Sequence, residues 1–535
     1  MEKLVLLIPF IPVVIAISLA FLKQKELMPK ISLYFSMIVA ILGLYGTFYV
    51  MSTEKEIYSF EGLLVYNKLS SILVPYVAIL GLVIRKYATK YMWDEAGYKR
   101  FFILLNFIFS AIYLLVMSNN LIVLTVAWQL MSIALYLLIT FNVESNSAIK
   151  NGGWTMIVHK MADLLFIIAV VLTYRTFDSF ELTTLSEKWI MLSEAGEISD
   201  PMIYIIGFLF LFAAMMKSAI MPFHLWLPYT SEAPTPVSAL MHAGVVNVGG
   251  ILLNKMAFLL LLTPAVLNVA FIMGLITAIG ASILMLAVAD IKRSLGYSTV
   301  GQMGYMIMEV GLGAFSLAIY HLMVHGIFKA SLFLESGSLI NMARKAPNVA
   351  KRLSYELFWE EKPQYNSKNM FRIIAIFTIL PVFLFIGVKI ALTGKLIFDA
   401  SIMILAFAWL TGTQLFLSFF EVNKANSFKV VFALIGSFIL VLFTYEFVGL
   451  ALEHYLYGEY GKRFFEVATE NVNIIMSILM LTFILAIGLL FTYKQHNVNV
   501  PIGKKTPNKK KWRYYKFLAK EGYISDIYVK YFKIF

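Results

Sequence analysis

Long apolar stretches separated by short polar ones make up most of the chain. A helix that spans a bilayer needs about 20 mostly apolar residues. Fourteen stretches of this kind are present, at residues 3–22, 31–51, 64–84, 101–118, 121–141, 154–174, 202–221, 236–262, 265–289, 314–341, 371–392, 401–422, 428–450 and 472–493. A shorter stretch at 296–313 is ambiguous. Because backbone polar groups in lipid must be paired within their own segment, the pattern predicts an all-α integral membrane protein with about fourteen transmembrane helices.

One stretch interrupts the helical pattern. Residues 222–236 contain four prolines, Pro222, Pro228, Pro234 and Pro236. Proline lacks an amide hydrogen and clashes with the preceding turn, so one continuous helix is excluded here. Apolar residues continue on both sides, which predicts a discontinuous helix at membrane depth, buried in protein or lining a cavity. A short loop at the membrane surface is the alternative.

Composition narrows the functional classes. The chain is 60% hydrophobic and only 14% charged, whereas soluble domains are about a quarter charged. It contains no cysteine, which excludes disulfides, iron–sulfur clusters and thiolate zinc sites. No G-x-G-x-x-G motif follows a strand-like run, so a nicotinamide or flavin site is not predicted. We expect no cofactor and no redox or hydrolytic site of the chain's own; membership of a larger enzyme stays open.

Charge is unevenly distributed. The net charge is +13, and residues 494–535 carry eleven Lys or Arg and two acids. A basic tail can bind nucleic acid, but beside an apolar chain it favours a cytoplasmic tail near anionic lipid. The basic segments 85–100 and 342–370 and the acid-rich segments 175–201 and 452–471 predict an outside N-terminus and a cytoplasmic C-terminus in the cell (inner or plasma) membrane.

Lysines inside the apolar stretches are candidate proton carriers. Lys217 is the only charge in 208–220, and an ammonium there costs about 2.5–3.5 kcal/mol. Burial favours the neutral amine, so this lysine could gain and lose a proton. The alternative is a lysine that extends to the membrane surface, since Pro222 is only five residues away.

A second candidate is a stripe of titratable residues. His321, His325 and Lys329 recur at i, i+4 and i+8, which places them on one helix face, about 6 Å apart per step. Such a stripe in an apolar helix favours a proton relay. Two alternatives stay open. One is that the histidines are core residues and the lysine is an anchor. The other is a metal site, although Leu322 stands where the metal-binding motif H-E-x-x-H has glutamate.

Further candidates are weaker on their own. Lys160 and Asp163 are three residues apart, so they share a face and predict an ion pair. Lys389 follows an apolar run near a helix end, Lys292 fits a cytoplasmic anchor as well as a relay, and His242 could face the same cavity as Lys217.

Several motifs resemble one family of antiporter-like membrane subunits. They are KSA at 217–219, WLP at 226–228, PTPVSALMHA at 234–243, DIKR at 290–293, QMGY at 302–305 and HLMVHGIFKA at 321–330. The family includes the L-type (chain 5) subunit of respiratory complex I, Mrp-type Na⁺/H⁺ antiporter subunits and DabB-type subunits of inorganic-carbon accumulation complexes. The likeness covers roughly 65–420 and is most specific over 210–345.

The resemblance implies two inverted five-helix repeats, each with a broken helix, around a hydrated line of lysines and histidines. It implies N-terminal helices (1–100), a first repeat (101–262), a second repeat (263–451), a last helix (452–493) and a basic cytoplasmic tail (494–535). It places the family's broken-helix lysine on Lys217, its central lysine on Lys292, its histidine pair on His321 and His325, the following lysine on Lys329 and the second broken-helix lysine on Lys389.

Two departures favour the DabB-like branch. Gln129 follows Trp128 where complex I subunits carry a Trp-Glu pair, and the chain ends in a basic tail where they carry a long lateral helix. The resemblance therefore implies a proton-conducting subunit that drives inorganic-carbon (CO₂/bicarbonate) accumulation with a DabA-like soluble zinc partner. A complex I pump subunit beside other complex I subunits, an Mrp-type antiporter subunit carrying H⁺ or Na⁺, and a structural scaffold are the alternatives.

Overall fold

The computed structural model describes residues 2–196, 200–288, 290–345 and 447–471. Of these, residues 2–341 and Glu453–Phe464 belong to one compact unit, which contains the predicted site. Residues 342–345, 447–452 and 465–471 belong to a second unit. The predicted helices at 371–392, 401–422 and 472–493, residues 428–446 of the one at 428–450, and the basic tail lie outside the described residues, as does Lys389.

The first half of the chain is a series of helices. After a 3-10 turn at Glu2–Leu7 they are α1 (Ile11–Phe21), α2 (Leu27–Thr53), α3 (Lys68–Tyr91), α4 (Tyr98–Met117), α5 (Leu121–Ile139), α6 (Asn146–Phe177), α7 (Leu182–Ala195) and α8 (Pro201–Lys217). A small antiparallel hairpin, β1 (Ile57–Tyr58) and β2 (Val65–Tyr66), joins α2 to α3. It pairs Ile57 with Tyr66.

The second half begins with short helices. They are α9 (Trp226–Tyr229), α10 (Thr235–Ala243), α11 (Val248–Lys255) and α12 (Ala257–Leu261). Longer helices follow as α13 (Pro264–Ala287), α14 (Ile291–Gly311) and α15 (Phe315–Lys345). Beyond the gap lie α16 (447–457) and α17 (Tyr460–Asn471).

Local sequence explains several helix starts. The side chain of Asn67 accepts a hydrogen bond from the Ser70 amide at the start of α3, and Asp290 accepts one from the Arg293 amide at the start of α14. Asp200 caps α8 in the same way, directly before Pro201. Short polar side chains satisfy amides that have no partner in the first turn, and proline fits the first helical position.

Eight helices among the described residues are long and apolar enough to cross a membrane, counting Thr235–Lys255 as one span. Two shorter apolar helices, Ile11–Phe21 and Pro201–Lys217, add to them. The prediction of an all-α membrane protein is confirmed, and the ambiguous stretch at 296–313 forms α14. The predicted stretch at 3–22 is divided between the 3-10 turn and α1.

The predicted loop at 85–100 begins later than expected. Helix α3 continues to Tyr91, and Arg85, which the charge count assigned to that loop, is 2% exposed. Its guanidinium donates to Ser32 Oγ at 3.2 Å and to Asn106 Oδ1 at 3.1 Å, and it lies 4.2 Å from the Phe109 ring centroid. A buried polar cluster therefore replaces the expected surface charge.

The proline stretch is a helix break inside the protein. Helix α8 ends at Lys217, and short turns and α9 lead to α10. Leu225, Trp226 and Leu227 are at most 3% exposed. This agrees with a discontinuous helix buried in protein and not with a surface loop, because a surface loop would expose these side chains.

A second interruption was not predicted. The stretch at 236–262, expected as one helix, is divided after Ala243 and again after Lys255. A 3-10 turn at Val245–Asn247 separates α10 from α11. No proline marks this position, and the glycine that directly follows Ala243 does not by itself exclude a continuous helix.

Glycines bring α13 and α14 close together. A Cβ atom added at Gly274 would lie 2.6 Å from the Gly304 carbonyl oxygen, and one added at Gly304 would lie 2.7 Å from the Gly274 carbonyl oxygen. Small residues allow membrane helices to approach this closely. The contact fixes α14, which carries polar side chains of the site.

Candidate proton-conduction site

Lys217 is fully buried at the end of α8. Its Nζ lies 3.0 Å from Asp163 Oδ1 and donates to the Trp128 carbonyl oxygen at 2.6 Å. The ammonium also lies 4.0 Å from the Trp128 ring centroid. Lys217 is 0% exposed and Asp163 3%. The lysine is therefore held inside the bundle and does not extend to the surface.

Asp163 also contacts the lysine predicted from spacing. Its Oδ2 lies 2.9 Å from Lys160 Nζ, so the one carboxylate bridges two ammonium groups. The Lys160 side chain is 40% exposed. The predicted Lys160–Asp163 ion pair is present, and Asp163 joins it to Lys217. We call these three residues the lysine–aspartate group.

The Trp128-Gln129 pair contacts Lys217 through the backbone. The contact comes from the backbone carbonyl of Trp128, the residue that precedes Gln129.

His159 lies on the same helix as Asp163, is 1% exposed and packs edge-on against Trp226 with ring centroids 4.7 Å apart. It also interacts electrostatically with Lys217 and Lys160.

Lys292 binds the proline break. Its Nζ donates to the Ser231 carbonyl at 3.1 Å and to the Ala233 carbonyl at 3.0 Å. The break frees these carbonyls from helical pairing, and a cationic donor suits them. The next residue, Arg293, places its guanidinium 4.6 Å from the Tyr229 ring centroid. The start of α14 is therefore tied to the break by two basic residues.

His321 is held by two acceptors on α14. Its Nδ1 lies 3.1 Å from Glu309 Oε1 and 3.2 Å from Oε2, and its Nε2 lies 3.0 Å from Gln302 Oε1. Glu309 is 5% exposed. A buried carboxylate next to imidazole can stabilise the protonated ring or accept its proton. Sequence reasoning included Gln302 only within a family motif.

His325 and Lys329 continue the stripe. The His321 and His325 ring centroids are 6.1 Å apart, and His325 is 5% exposed. Lys329 is 1% exposed and its Nζ donates to Ser298 Oγ at 2.7 Å. All three therefore face protein and not lipid, as the shared helix face predicts.

His242 joins this second set and not the first. Its ring stacks on Phe333 with centroids 4.1 Å apart, and it interacts electrostatically with Lys329 and Lys292. His325 in turn interacts electrostatically with Lys329, His321 and His242. We call His242, His321, His325 and Lys329, with Glu309, the histidine group. The described contacts of His242 do not include Lys217.

One partly buried lysine was not singled out from sequence. Lys255, at the end of α11, donates from Nζ to the Ser118 carbonyl oxygen at 2.9 Å. The signal was available, because Lys255 is a charge inside the apolar stretch at 236–262. Arg85 gave no such signal, since it stands beside Lys86 at the edge of an apolar stretch.

The acids, lysines and histidines lie in two groups that are enclosed in protein apart from the partly exposed Lys160, and Lys292 lies beside the histidine group. Titratable groups at membrane depth that face the bundle interior and pair with one another mark ion and proton pathways. The fold and the site are therefore those of an ion-conducting membrane protein. The comparisons with known proteins place the chain within that class.

The family described as "NADH:quinone oxidoreductase/Mrp antiporter, TM" matches residues 118–424, and the one described as "NADH-Ubiquinone oxidoreductase (complex I), chain 5 N-terminus" matches residues 57–102. The first match spans more than half of the chain. The chain therefore belongs to the NADH:quinone oxidoreductase/Mrp antiporter family of proton-conducting, antiporter-like membrane subunits, and it is a multi-pass membrane protein.

Among curated relatives, the chain is 36% identical over 473 residues to the "Probable inorganic carbon transporter subunit DabB1" of Halothiobacillus neapolitanus. That match covers 87% of this chain and 84% of the relative. It is 35% identical over 288 residues to the NADH-quinone oxidoreductase subunit L of Buchnera aphidicola, covering 54% of this chain and 46% of that subunit. The chloroplastic NAD(P)H-quinone oxidoreductase subunit 5 of Tecoma stans is 35% identical, with 39% of its length covered.

Solved structures share the fold. A chain of the archaeal membrane-bound sulfane sulfur reductase superposes with a TM-score of 0.62 at 17% identity, covering 87% of this chain and 98% of that chain. A chain of the Mrp complex from Dietzia sp. superposes with a TM-score of 0.59 at 19% identity, covering 98% of this chain and 60% of that chain. At these identities the likeness concerns the fold.

Proposed function

We propose that the protein is a DabB-like energy-coupling subunit that conducts protons to drive inorganic-carbon accumulation. The relationship to DabB1 supports the carbon role, because it extends over 84% of that relative, whereas the subunit 5 and L relatives cited above are matched over 39–46% of their lengths. The partner would be a DabA-like soluble zinc subunit that handles CO₂ or bicarbonate.

Protons would pass between the lysine–aspartate group and the histidine group. Protonation would alternate among Lys217, Lys292, His321, His325, Lys329 and Lys389, with Asp163 and Glu309 as the carboxylates that stabilise the cationic forms. Enclosure in protein supports this role, since Lys217 is 0%, Lys329 1% and Asp163 3% exposed. A membrane potential supplies about 2.3 kcal/mol per charge per 100 mV to such a pathway.

The pairing of Lys217 with Asp163 is the observation that carries the proton role. A carboxylate beside a buried lysine stabilises its ammonium form, so that the lysine can exist in both the charged and the neutral form at moderate cost. Where complex I subunits carry a glutamate after the tryptophan, this chain has Gln129, which has no carboxylate. Asp163 takes the place of that partner from α6, at 3.0 Å.

The test uses the protein with its native partners in liposomes. We expect Lys329→Ala and His325→Ala to abolish proton flux and partner-dependent carbon uptake while insertion and thermal unfolding remain near those of the wild type. Lys150→Ala is the matched control, because Lys150 is an exposed lysine near the start of α6. Normal coupled activity in both Lys329→Ala and His325→Ala would refute the proposed pathway.

The principal alternative is a pump subunit of an NADH–quinone oxidoreductase, and an Mrp-type antiporter subunit carrying H⁺ or Na⁺ is a second. Purification from native membranes separates them. Co-purification of a soluble zinc subunit supports the DabB-like role, while co-purification of flavin and iron–sulfur subunits supports complex I. Sodium-dependent proton flux in liposomes would support the antiporter, and a chain without flux would be a structural scaffold.

A further inference from the structure

Lys160 lies on an exposed, otherwise apolar face of α6. Its side chain is 40% exposed, although Asp163 binds its ammonium at 2.9 Å. The exposed side chains of α6 recur at helical spacing and form one stripe along the helix. Around Lys160 the apolar members of that stripe are Ile157, Met161, Leu164, Ile168 and Val171.

This lysine is at membrane depth. It stands fourteen residues after the start of α6 and seventeen before its end, which places it about 21 Å from the nearer end at 1.5 Å per residue. The hydrocarbon core of a bilayer is about 30 Å thick. A position near the middle of a 32-residue helix therefore lies well inside the core, and Asp163 holds the ammonium there.

Gln129 adds a second polar group to the same surface. It stands near the middle of α5, on the exposed stripe of that helix, and is itself partly exposed. Trp128, which precedes it, and Asp163 both contact Lys217, so Gln129 and Lys160 lie at similar depth. No described residue forms a hydrogen bond with the Gln129 amide. We define the α5–α6 face by Val126, Gln129, Ile133, Ile157, Lys160, Met161 and Leu164.

Lipid alone is an unfavourable environment for this face. Hydrocarbon offers no hydrogen-bond partner, so an unpaired amide and an exposed ammonium both raise the free energy of the inserted protein. Ionisable side chains at membrane depth almost always face protein or a water-filled cavity, and glutamine forms hydrogen bonds across neighbouring helices. A helix of another protein on the α5–α6 face would reduce both costs.

The charge of the lysine–aspartate group indicates what such a helix carries. Lys160, Lys217 and Asp163 are two ammonium groups and one carboxylate when all three are ionised, which leaves one positive charge. Charges inside a membrane pair with opposite charges. Lys160 is the exposed member of the group, so a second carboxylate would approach it from outside this bundle.

The chain itself brings no suitable carboxylate to this depth. The acids of the eight described spans are Asp163, which is buried, and Glu335, which is third from the end of its span. Glu309, on α14, is buried as well. The four spans predicted between residues 371 and 493 contain Glu421 and Glu446, each within four residues of the end of its stretch. Neither a second copy nor another segment of this chain would therefore supply an acid in the middle of the membrane.

We propose that the α5–α6 face is an intramembrane interface, and that its occupant is a transmembrane helix of another subunit with an aspartate or glutamate opposite Lys160. That carboxylate would accept a hydrogen bond from the ammonium, and the same helix would pair the Gln129 amide. A soluble partner cannot cover residues at this depth, so this subunit is additional to the soluble one proposed above. The inference concerns assembly and does not depend on proton conduction.

The first test is site-specific photocrosslinking in native membranes. Leu164→p-benzoylphenylalanine places the probe one turn from Lys160, at a side chain that is 59% exposed. Ile41→p-benzoylphenylalanine is the matched control, because Ile41 is 64% exposed in the middle of α2, on a stripe without a charged or amide side chain. We expect the probe at 164 to crosslink to another membrane protein and the probe at 41 to lipid. The crosslinked partner span should contain an aspartate or glutamate, identified by mass spectrometry.

Charge variants test the carboxylate. Lys160→Glu would place like charges across the interface, and we expect the crosslinked product from position 164 to fall by about tenfold or more. Lys160→Arg should retain most of it. Lysine in place of the partner's acid should restore crosslinking to Lys160→Glu, because the two charges are then exchanged.

The inference can fail without the proposed function. Crosslinks from position 164 to lipid alone, to a second copy or to another segment of this chain overturn it, and so does a partner span without an acid. Equal yields from Lys160→Glu and the wild type overturn the pairing. If Lys160→Glu does not accumulate in the membrane, the amide variant of the partner's acid replaces it, and an unchanged yield there has the same meaning. Proton flux enters none of these measurements.

Discussion

Asp163 Oδ1 lies 3.0 Å from Lys217 Nζ, although the two residues are on different helices and 54 positions apart in the sequence. The same carboxylate binds Lys160 through its other oxygen. The group therefore contains two amines and one carboxylate, and the carboxylate is enclosed in protein. This relationship makes Asp163 the first residue to test.

Asp163→Asn should stop proton flux. The change keeps the size of the side chain but removes the charge that stabilises both ammonium groups, and breaking a buried pair costs about 3–5 kcal/mol. We expect lower thermal stability and a proton flux near background in liposomes. Asp178→Asn is the control, because Asp178 is exposed at the end of the same helix and asparagine tolerates its left-handed backbone. Wild-type flux in Asp163→Asn would remove Asp163 from the pathway.

Glu309→Gln should reduce flux without unfolding the protein. Glutamine can still accept a hydrogen bond from His321, but it can neither take a proton nor stabilise an imidazolium. We expect insertion like that of the wild type and a clear loss of flux. Glu187→Gln on α7 makes the same change at an exposed position. Equal flux in the two variants would show that Glu309 is only a structural partner of His321.

Gly326→Ala and Gly153→Ala should change stability in opposite directions. A Cβ at Gly326 would lie 2.7 Å from the Ala243 carbonyl oxygen, whereas one at Gly153 would have no atom within 4 Å. Overpacking costs about 1–3 kcal/mol, while alanine in an open helical position gains up to about 1 kcal/mol over glycine. Thermal unfolding in detergent measures both. A Gly326→Ala protein as stable as the wild type would contradict the close approach of α15 to the interruption.

Lys292→Gln should loosen the proline break. Lys292 donates to the Ser231 and Ala233 carbonyls, and hydrogen bonds from charged groups contribute about 1.5–3 kcal/mol. We expect faster proteolysis between residues 228 and 236, with Lys292→Arg restoring much of the protection. Should Lys292→Gln and the wild type be cleaved at the same rate, the break would not depend on this lysine.

The sequence predicted the helices better than their interruptions. Apolar stretches of the required length correspond to helices because both the length and the hydrophobicity are local properties. The proline stretch was recognised because proline excludes a continuous helix. The second interruption, at Val245–Asn247, was missed because contacts from Ser218, Tyr76 and Gly326 accompany it, and these come from other helices.

Site prediction was limited in the same way. Lys160 and Asp163 were paired from their spacing, and the stripe from His321 to Lys329 was predicted from helical periodicity. Lys255 was overlooked, and Arg85 was counted as a loop residue although the structure buries it with Ser32 and Asn106. The relay roles of the predicted residues remain predictions for the experiments above to test.

The sequence by itself determined that this chain is a helical membrane protein with lysines and histidines at membrane depth, because hydrophobicity and helical spacing act between near neighbours. Only the tertiary structure decided the partners: Asp163 for Lys217, Glu309 for His321, and the carbonyls of the proline break for Lys292. Each of these pairs joins different elements, so it exists only once the helices have packed. Packing also brought Ser218 and Tyr76 to the interruption after Ala243, where each donates to a backbone carbonyl of a segment far from it in the sequence.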